Sequence, residues 1–136
     1  MAGGAPVSDL AAMLAQMAPQ LDPVHYCFML ISPDTAPQAL GGAIATFRED
    51  EGVTAIVPEP LARELGGEGP TMARITLTVH SSLEGVGLTA AVASALADRG
   101  IACNMVAAYH HDHAFVPAEM AERAIALLED LQGSSS

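Results

Sequence analysis

Lysine is missing from the chain, so its five positive charges are all arginines, set against sixteen carboxylates for a formal net charge of −11 at pH 7. That imbalance removes the basic footprint that nucleic acids and anionic membrane surfaces require, and neither is expected as a partner. Tryptophan is also absent and aromatics are 4% of residues, so a core must be filled by Ala, Val, Leu, Ile and Met. With 51% apolar residues that is feasible, and 136 residues suit one compact domain or two very small ones. Only two cysteines occur, Cys27 and Cys103, each inside an apolar run (HYCFML and IACNMV). They read as reduced, core-filling thiols rather than as a disulfide. No apolar stretch approaches the ~18 residues of a membrane helix. The N-terminus shows no basic region leading into an apolar h-region, so no secretory signal is expected and cytoplasm is the default compartment.

What is present falls into short, well-punctuated elements. Ser8-Asp9 can cap a helix to about Met17, with Leu10, Met13, Leu14 and Met17 on one stripe and Pro19 and Pro23 closing it. Val24–Ile31 is an apolar run rich in β-formers, hence a buried strand. A proline-rich connector spans 32–41. Residues 42–47 and 53–57 form two strands around the charged turn 48–52, and Pro58 opens a short helix with Leu61 and Leu65 inward. Gly66-Gly67 stop that helix, and 66–70 is the natural boundary between modules.

Periodicity is plainer beyond it. Residues 74–80 alternate with Ile75, Leu77 and Val79 on one face, as in a half-buried strand. Ser81 and Glu84 have capping-box spacing ahead of a helix carrying Leu88, Val92, Ala95 and Leu96, which ends at Arg99-Gly100. Residues 101–109 form a strand, 110–113 a turn and 114–116 another strand. Pro117 opens a helix carrying Met120, Ala124, Leu127, Leu128 and Leu131, and 133–136 reads as a frayed tail. A degenerate repeat links the halves: strand, turn, strand, Val-Pro, helix occurs at Val57-Pro58 and again at Val116-Pro117. The first half shows no helix after its first strand.

The β-α-β-β-α order, the Gly100-Ile101-x-x-Asn104 strand opening and HSSLEGVGLTAAVASAL (80–96) resemble the ACT domain. FREDEGVTAIVPEPLA (47–62) and HDHAFVP (111–117) extend the likeness to small bacterial proteins built from two tandem ACT modules, over roughly residues 8–131. The resemblance implies an α+β fold of two ferredoxin-like βαββαβ-type modules packed together, the first degenerate and lacking its first helix. The modules would be 1–70 and 71–132. It also implies a regulatory role in which an amino acid is bound near the loop between the first strand and the first helix. On this chain that region is His80, Ser81, Ser82, Gly85, Val86, Gly87, Leu88 and Thr89, with Asn104 on the neighbouring strand and Gly52 and Thr54 from the first module as a facing element.

Several residues admit more than one reading. In a ferredoxin-like module His80 and Tyr109 end at the same edge, so His80 and His110-His111-Asp112-His113 gather there. The latter run reads as a polar turn, as a wall of a ligand pocket, or as a zinc site in which His111 and His113 point together. It lacks helical i, i+4 ligand spacing and any C-x-x-C. Gly85-x-Gly87-x-x-Ala90 is a poor dinucleotide fingerprint, because Ser81–Glu84 intervene between strand and first glycine. Its glycines serve either close packing or the approach of a small anion to a helix start. Asn104 fits a solvated strand face as well as a ligand contact, and Glu49-Asp50-Glu51 reads as a solvated turn. His80, Ser81 and Asp112 can be written as a triad, but no nucleophile elbow precedes the serine. The sequence therefore favours a non-enzymatic, cofactor-free amino-acid sensor, a homodimer through its sheet edges or helices. A protein-interaction module and a metal protein using the histidine turn are the alternatives.

Overall fold

The computed structural model describes residues 9–80 and 85–134. The elements run α1 (Leu10–Ala15), β1 (Pro19–Ile31), α2 (Ala36–Gly42), β2 (Ala45–Glu49), β3 (Gly52–Pro58), α3 (Glu59–Glu64), β4 (Met72–Leu77), α4 (Leu88–Ala97), β5 (Asn104–Ala107), β6 (Asp112–Pro117) and α5 (Ala121–Ser134), the last preceded by a 3-10 turn (Ala118–Met120). The chain divides into two compact units. One is Pro23–Ala73, and the other combines the described residues up to Asp22 with those from Arg74 onward. The N-terminal helix therefore belongs to the same unit as the second module, although it precedes the first in sequence.

In the middle unit the strand order is β2-β3-β1, all antiparallel. Side chains alternate across these strands, so Cys27, Met29, Ala55 and Val57 share the face packed by Ala39 of α2 and Ala62 of α3. Leu61 and Leu65 close that core, as the sequence predicts. The proline-rich connector is not irregular: it contains α2, the helix that the sequence reading denies to the first module. Pro37 stands in the first turn of α2, where a missing N–H is no loss, and Ala39 is fully buried. The entry is tied by the Ser32 N–H donating to Thr35 Oγ1 at 2.9 Å and by the Ala36 N–H donating to the Ser32 carbonyl at 2.8 Å. The first module thus carries the strand-helix-strand-strand-helix order of the second. Because α2 runs to Gly42, β2 begins three residues later than expected.

The other unit has the order β4-β6-β5. Ile75, Leu77 and Val79 are buried, while Arg74 and Thr76 are half-exposed on the opposite face. Helix α4 contributes Leu88, Val92 and Leu96 to the core, and α5 contributes Ala121, Ala124 and Leu128. Helix α1, capped by Asp9 accepting from the Ala12 N–H at 3.1 Å, buries Met13. Gln132 ties the start of the chain to α5, accepting from the Ala18 N–H at 3.0 Å and donating to the Ala15 carbonyl at 2.9 Å. Pro19 and Pro23 lie within β1 rather than merely terminating α1, so this strand starts well before Val24. Gly100, at φ +72°, ends α4, and the Ile101 N–H turns back to the Leu96 carbonyl at 3.0 Å. Helix α5 continues through Ser134, whose hydroxyl donates to the Asp130 carbonyl at 2.7 Å, so Gly133 and Ser134 are helical and not tail.

Candidate functional site

The β5–β6 hairpin is displaced from its expected position. Ala107 pairs with Asp112 and the Ala108 N–H donates to the His111 carbonyl at 3.0 Å, so the turn is Ala108–His111. Asp112 and His113 belong to β6. Ala114, Phe115 and Val116 are all buried, so β6 is covered on both faces here, and period-two alternation puts His113 on the Phe115 face with its partner Val106.

That register brings four rings together where β4 leaves the sheet. The His80 and His110 ring centroids are 5.4 Å apart, Tyr109 meets His110 edge-on at 5.0 Å, and His111 lies 6.2 Å from His110. His111 Nδ1 is 3.4 Å from the Val79 carbonyl oxygen, which can only accept, so the contact calls for a protonated Nδ1. Tyr109 is 77% exposed. His80 is half-buried, and its Nδ1 is buried with no hydrogen-bond partner among the described residues. The sequence marks His80 and the histidine run but gives Tyr109 no part in the site. An aromatic residue directly ahead of a hairpin histidine was the available signal.

The remaining sequence candidates are distributed unevenly. Ser81, Ser82 and the Ser81–Glu84 capping box lie outside the described residues. Gly85 is half-exposed and Val86 is 81% exposed. Gly87 is the N-cap of α4 at φ +101°, and no side chain caps this helix among the described residues. The positive φ favours glycine here, and a Cβ would sit 3.0 Å from the end of the Leu10 side chain, which would have to give by a few tenths of an ångström. Leu88 points into the core, leaving only its backbone available, while Thr89 is exposed. Asn104 is exposed, but it opens β5 three residues before Ala107, about 10 Å along the strand from the hairpin. Its strand is not the neighbour of β4; β6 lies between them. In the middle unit, Gly52 follows the β2–β3 turn at φ +143°, and Thr54 donates its hydroxyl to Glu49 Oε1 at 2.7 Å.

Of the two candidate metal ligands, His113 has its Nδ1 2.9 Å from Thr76 Oγ1, and no group of three or more His, Cys, Asp or Glu side chains that could hold a metal ion occurs among the described residues. Burial holds the His113 imidazole below its ordinary pKa, reinforced by Arg74 and His111 and opposed by Asp112. Beside it, Arg74 donates to Asp22 Oδ2 at 2.7 Å in a largely buried ion pair. Both cysteines are free thiols whose pKa values are raised by burial, so neither presents an activated nucleophile. No helix among the described residues is long and apolar enough to cross a membrane.

The fold is a tandem of two modules that repeat one strand-helix-strand-strand-helix order. The chain belongs to the ACT-domain family, matching ACT domains over residues 5–74 and again over residues 73–130. ACT modules are regulatory domains, and neither match indicates a catalytic family. Among solved structures, a Vibrio cholerae protein of unknown function, described as a possible transport protein, is 39% identical with a TM-score of 0.78, covering 90% of this chain and 95% of that one. The regulatory subunit of aspartate kinase from Thermus thermophilus, in its ligand-free form, is 18% identical with a TM-score of 0.55, covering 83% and 95% respectively. An Agrobacterium tumefaciens protein is 17% identical with a TM-score of 0.58, covering 79% and 81%. The last two share the fold. No curated protein matches the sequence.

Proposed function

We propose that the protein is a non-catalytic sensor that binds an amino acid where β4 passes into α4. The observation that carries this reading is the convergence of His80, Tyr109 and His110 at the strand end beside a glycine-entered helix with no side-chain cap among the described residues. First-turn amides of a helix such as α4 attract a carboxylate, both by hydrogen bonding and through the helix dipole. Gly85, Gly87, Leu88 and Thr89 would offer backbone, with Val86 as an apolar wall and Ser81 and Ser82 as further polar contacts. The ACT family membership supports the regulatory class of function. We assign the protein to the cytoplasm as a homodimer, with the segment 66–70 separating the two modules.

Thermal-shift measurements across the twenty L-amino acids test this reading. One of them, present at 100 times its Kd, should stabilise the fold by about 2.7 kcal/mol. A flat profile from well-folded protein would contradict amino-acid sensing.

A second reading, protein interaction without a metabolite, gains from a different observation. The exposed large apolar side chains are absent from α5, where that reading would place them, and several belong to the middle unit. Leu30 and Phe47, 62% and 72% exposed, both register with Thr54 and so share one face of β1-β3-β2. A partner captured by wild-type protein but not by a Phe47→Ser variant, together with a flat amino-acid screen, would favour it.

A further inference from the structure

The pairing registers sort the middle unit's side chains onto two faces. Cys27, Met29, Ala55 and Val57 take the face on which Ala39 of α2 and Ala62 of α3 pack. Phe28, Leu30, Ala45, Phe47, Thr54 and Ile56 take the other, which neither of those helices covers. None of these six carries a charge, although residues 23–73 hold seven carboxylates against two arginines. A chain of net charge −11 repels its own copy, so self-association requires a patch from which like charges are missing. This face meets that condition, and the carboxylate at its margin, Glu49, already accepts the Thr54 hydroxyl.

Edge pairing through β2 alone is the alternative, since β2 ends the order β2-β3-β1. It would leave Leu30 uncovered, two strands inward and roughly 10 Å from the edge at ~4.8 Å per strand. Leu30 is 62% exposed and Phe47 72%, and only packing over the face covers both. Charge then sets the orientation. Asp50 of the acidic turn 49–51 lies about 10 Å along the chain from Phe47 at ~3.3 Å per residue. Two hairpins superposed in parallel would bring their acidic turns together. Antiparallel superposition about Phe47 sets the turns about 20 Å apart, beyond the physiological Debye length of about 8 Å.

We infer that two copies of this chain pack face to face over Leu30 and Phe47, with their β2 strands antiparallel and the two Phe47 rings meeting at the two-fold axis. The inference rests on the homodimer assignment above, not on the amino-acid site, and gives that dimer its surface.

The test is sedimentation velocity over a concentration series for wild type, Leu30→Ser, Phe47→Ser and Leu40→Ser. Leu40 is 51% exposed on α2 and serves as the control outside this face. Wild type should dimerise, and Leu30→Ser and Phe47→Ser should each raise the dissociation constant at least several-fold, with melting curves confirming that both variants fold. Leu40→Ser should associate as wild type does. In a Cys103→Ser background, a short bismaleimide should link two Thr54→Cys chains and fail to link two Asp50→Cys chains; the reverse would overturn the antiparallel placement. A dimer weakened by Phe47→Ser but not by Leu30→Ser would mean edge pairing and overturn the inference. Equal weakening by Leu40→Ser, or a dimer indifferent to all three, would also overturn it while sparing the homodimer. Wild type that stays monomeric throughout would reject both.

Discussion

Thr76 and His113 meet across the half-buried face of β4 and β6, and their contact has a pH signature. The folded state disfavours the protonated imidazole because burial and the neighbouring Arg74 penalise its charge. The unfolded chain takes up that proton near the ordinary histidine pKa of about 6.5. The contribution of His113 to stability is therefore full above that pH and is lost as pH falls through the lower folded value. Urea unfolding should show wild type losing more stability between pH 7.5 and pH 5.5 than His113→Gln does; equal losses would remove His113 from this account. The Arg74–Asp22 pair is largely sheltered, so Arg74→Ala should cost about 1–3 kcal/mol, between the values for exposed and buried pairs. The same unfolding experiment reads that cost. The paired histidines were legible as a cluster in the sequence, but the division of labour among them was not. Which nitrogen finds a partner depends on register, and the hairpin turns two residues earlier than its polarity suggests.

At the scale of elements, conformation at a single residue decides where α4 begins. Gly87 holds φ +101°, and a side chain there would also meet Leu10, so Gly87→Ala should destabilise by about 1–2 kcal/mol in chemical denaturation. Helix α2 offers the complementary test. Ala39 is fully buried in the middle-unit core, and Ala39→Leu should cost about 1–3 kcal/mol by overpacking. This helix is also the element that the sequence reading missed. Pro33 and Pro37 look like breakers in a linear scan, yet a proline in the first helical turn is compatible with helix, and one buried alanine gives almost no periodic signal. The opposite holds for β4 and α4, where Ile75, Leu77, Val79 and then Leu88, Val92, Leu96 announce period two and period 3.6 without ambiguity. Strands β1 and β2 were shifted because prolines are admitted into the start of a strand and because α2 occupies residues assigned to β2.

For the whole molecule, two copies of one element order account for the fold and the ACT family membership. The repeat was readable from Val57-Pro58 and Val116-Pro117, but assignment of the N-terminal helix to the second unit was not, since it depends on long-range contacts such as those of Gln132. Under the homodimer proposal, the exposed Leu30–Phe47 face of the middle unit is where self-association is most readily disturbed. Phe47→Ser should leave the melting transition intact and raise the dimer dissociation constant at least several-fold in analytical ultracentrifugation; unchanged association would move the interface elsewhere. The central claim, a metabolite held where β4 passes into α4, is tested most directly by amide hydrogen exchange with and without the amino acid that gives the largest thermal shift. Slowed exchange concentrated in residues 78–92 and 108–111 is the result this account requires. Protection confined to the middle unit, or spread evenly over the chain, would contradict it.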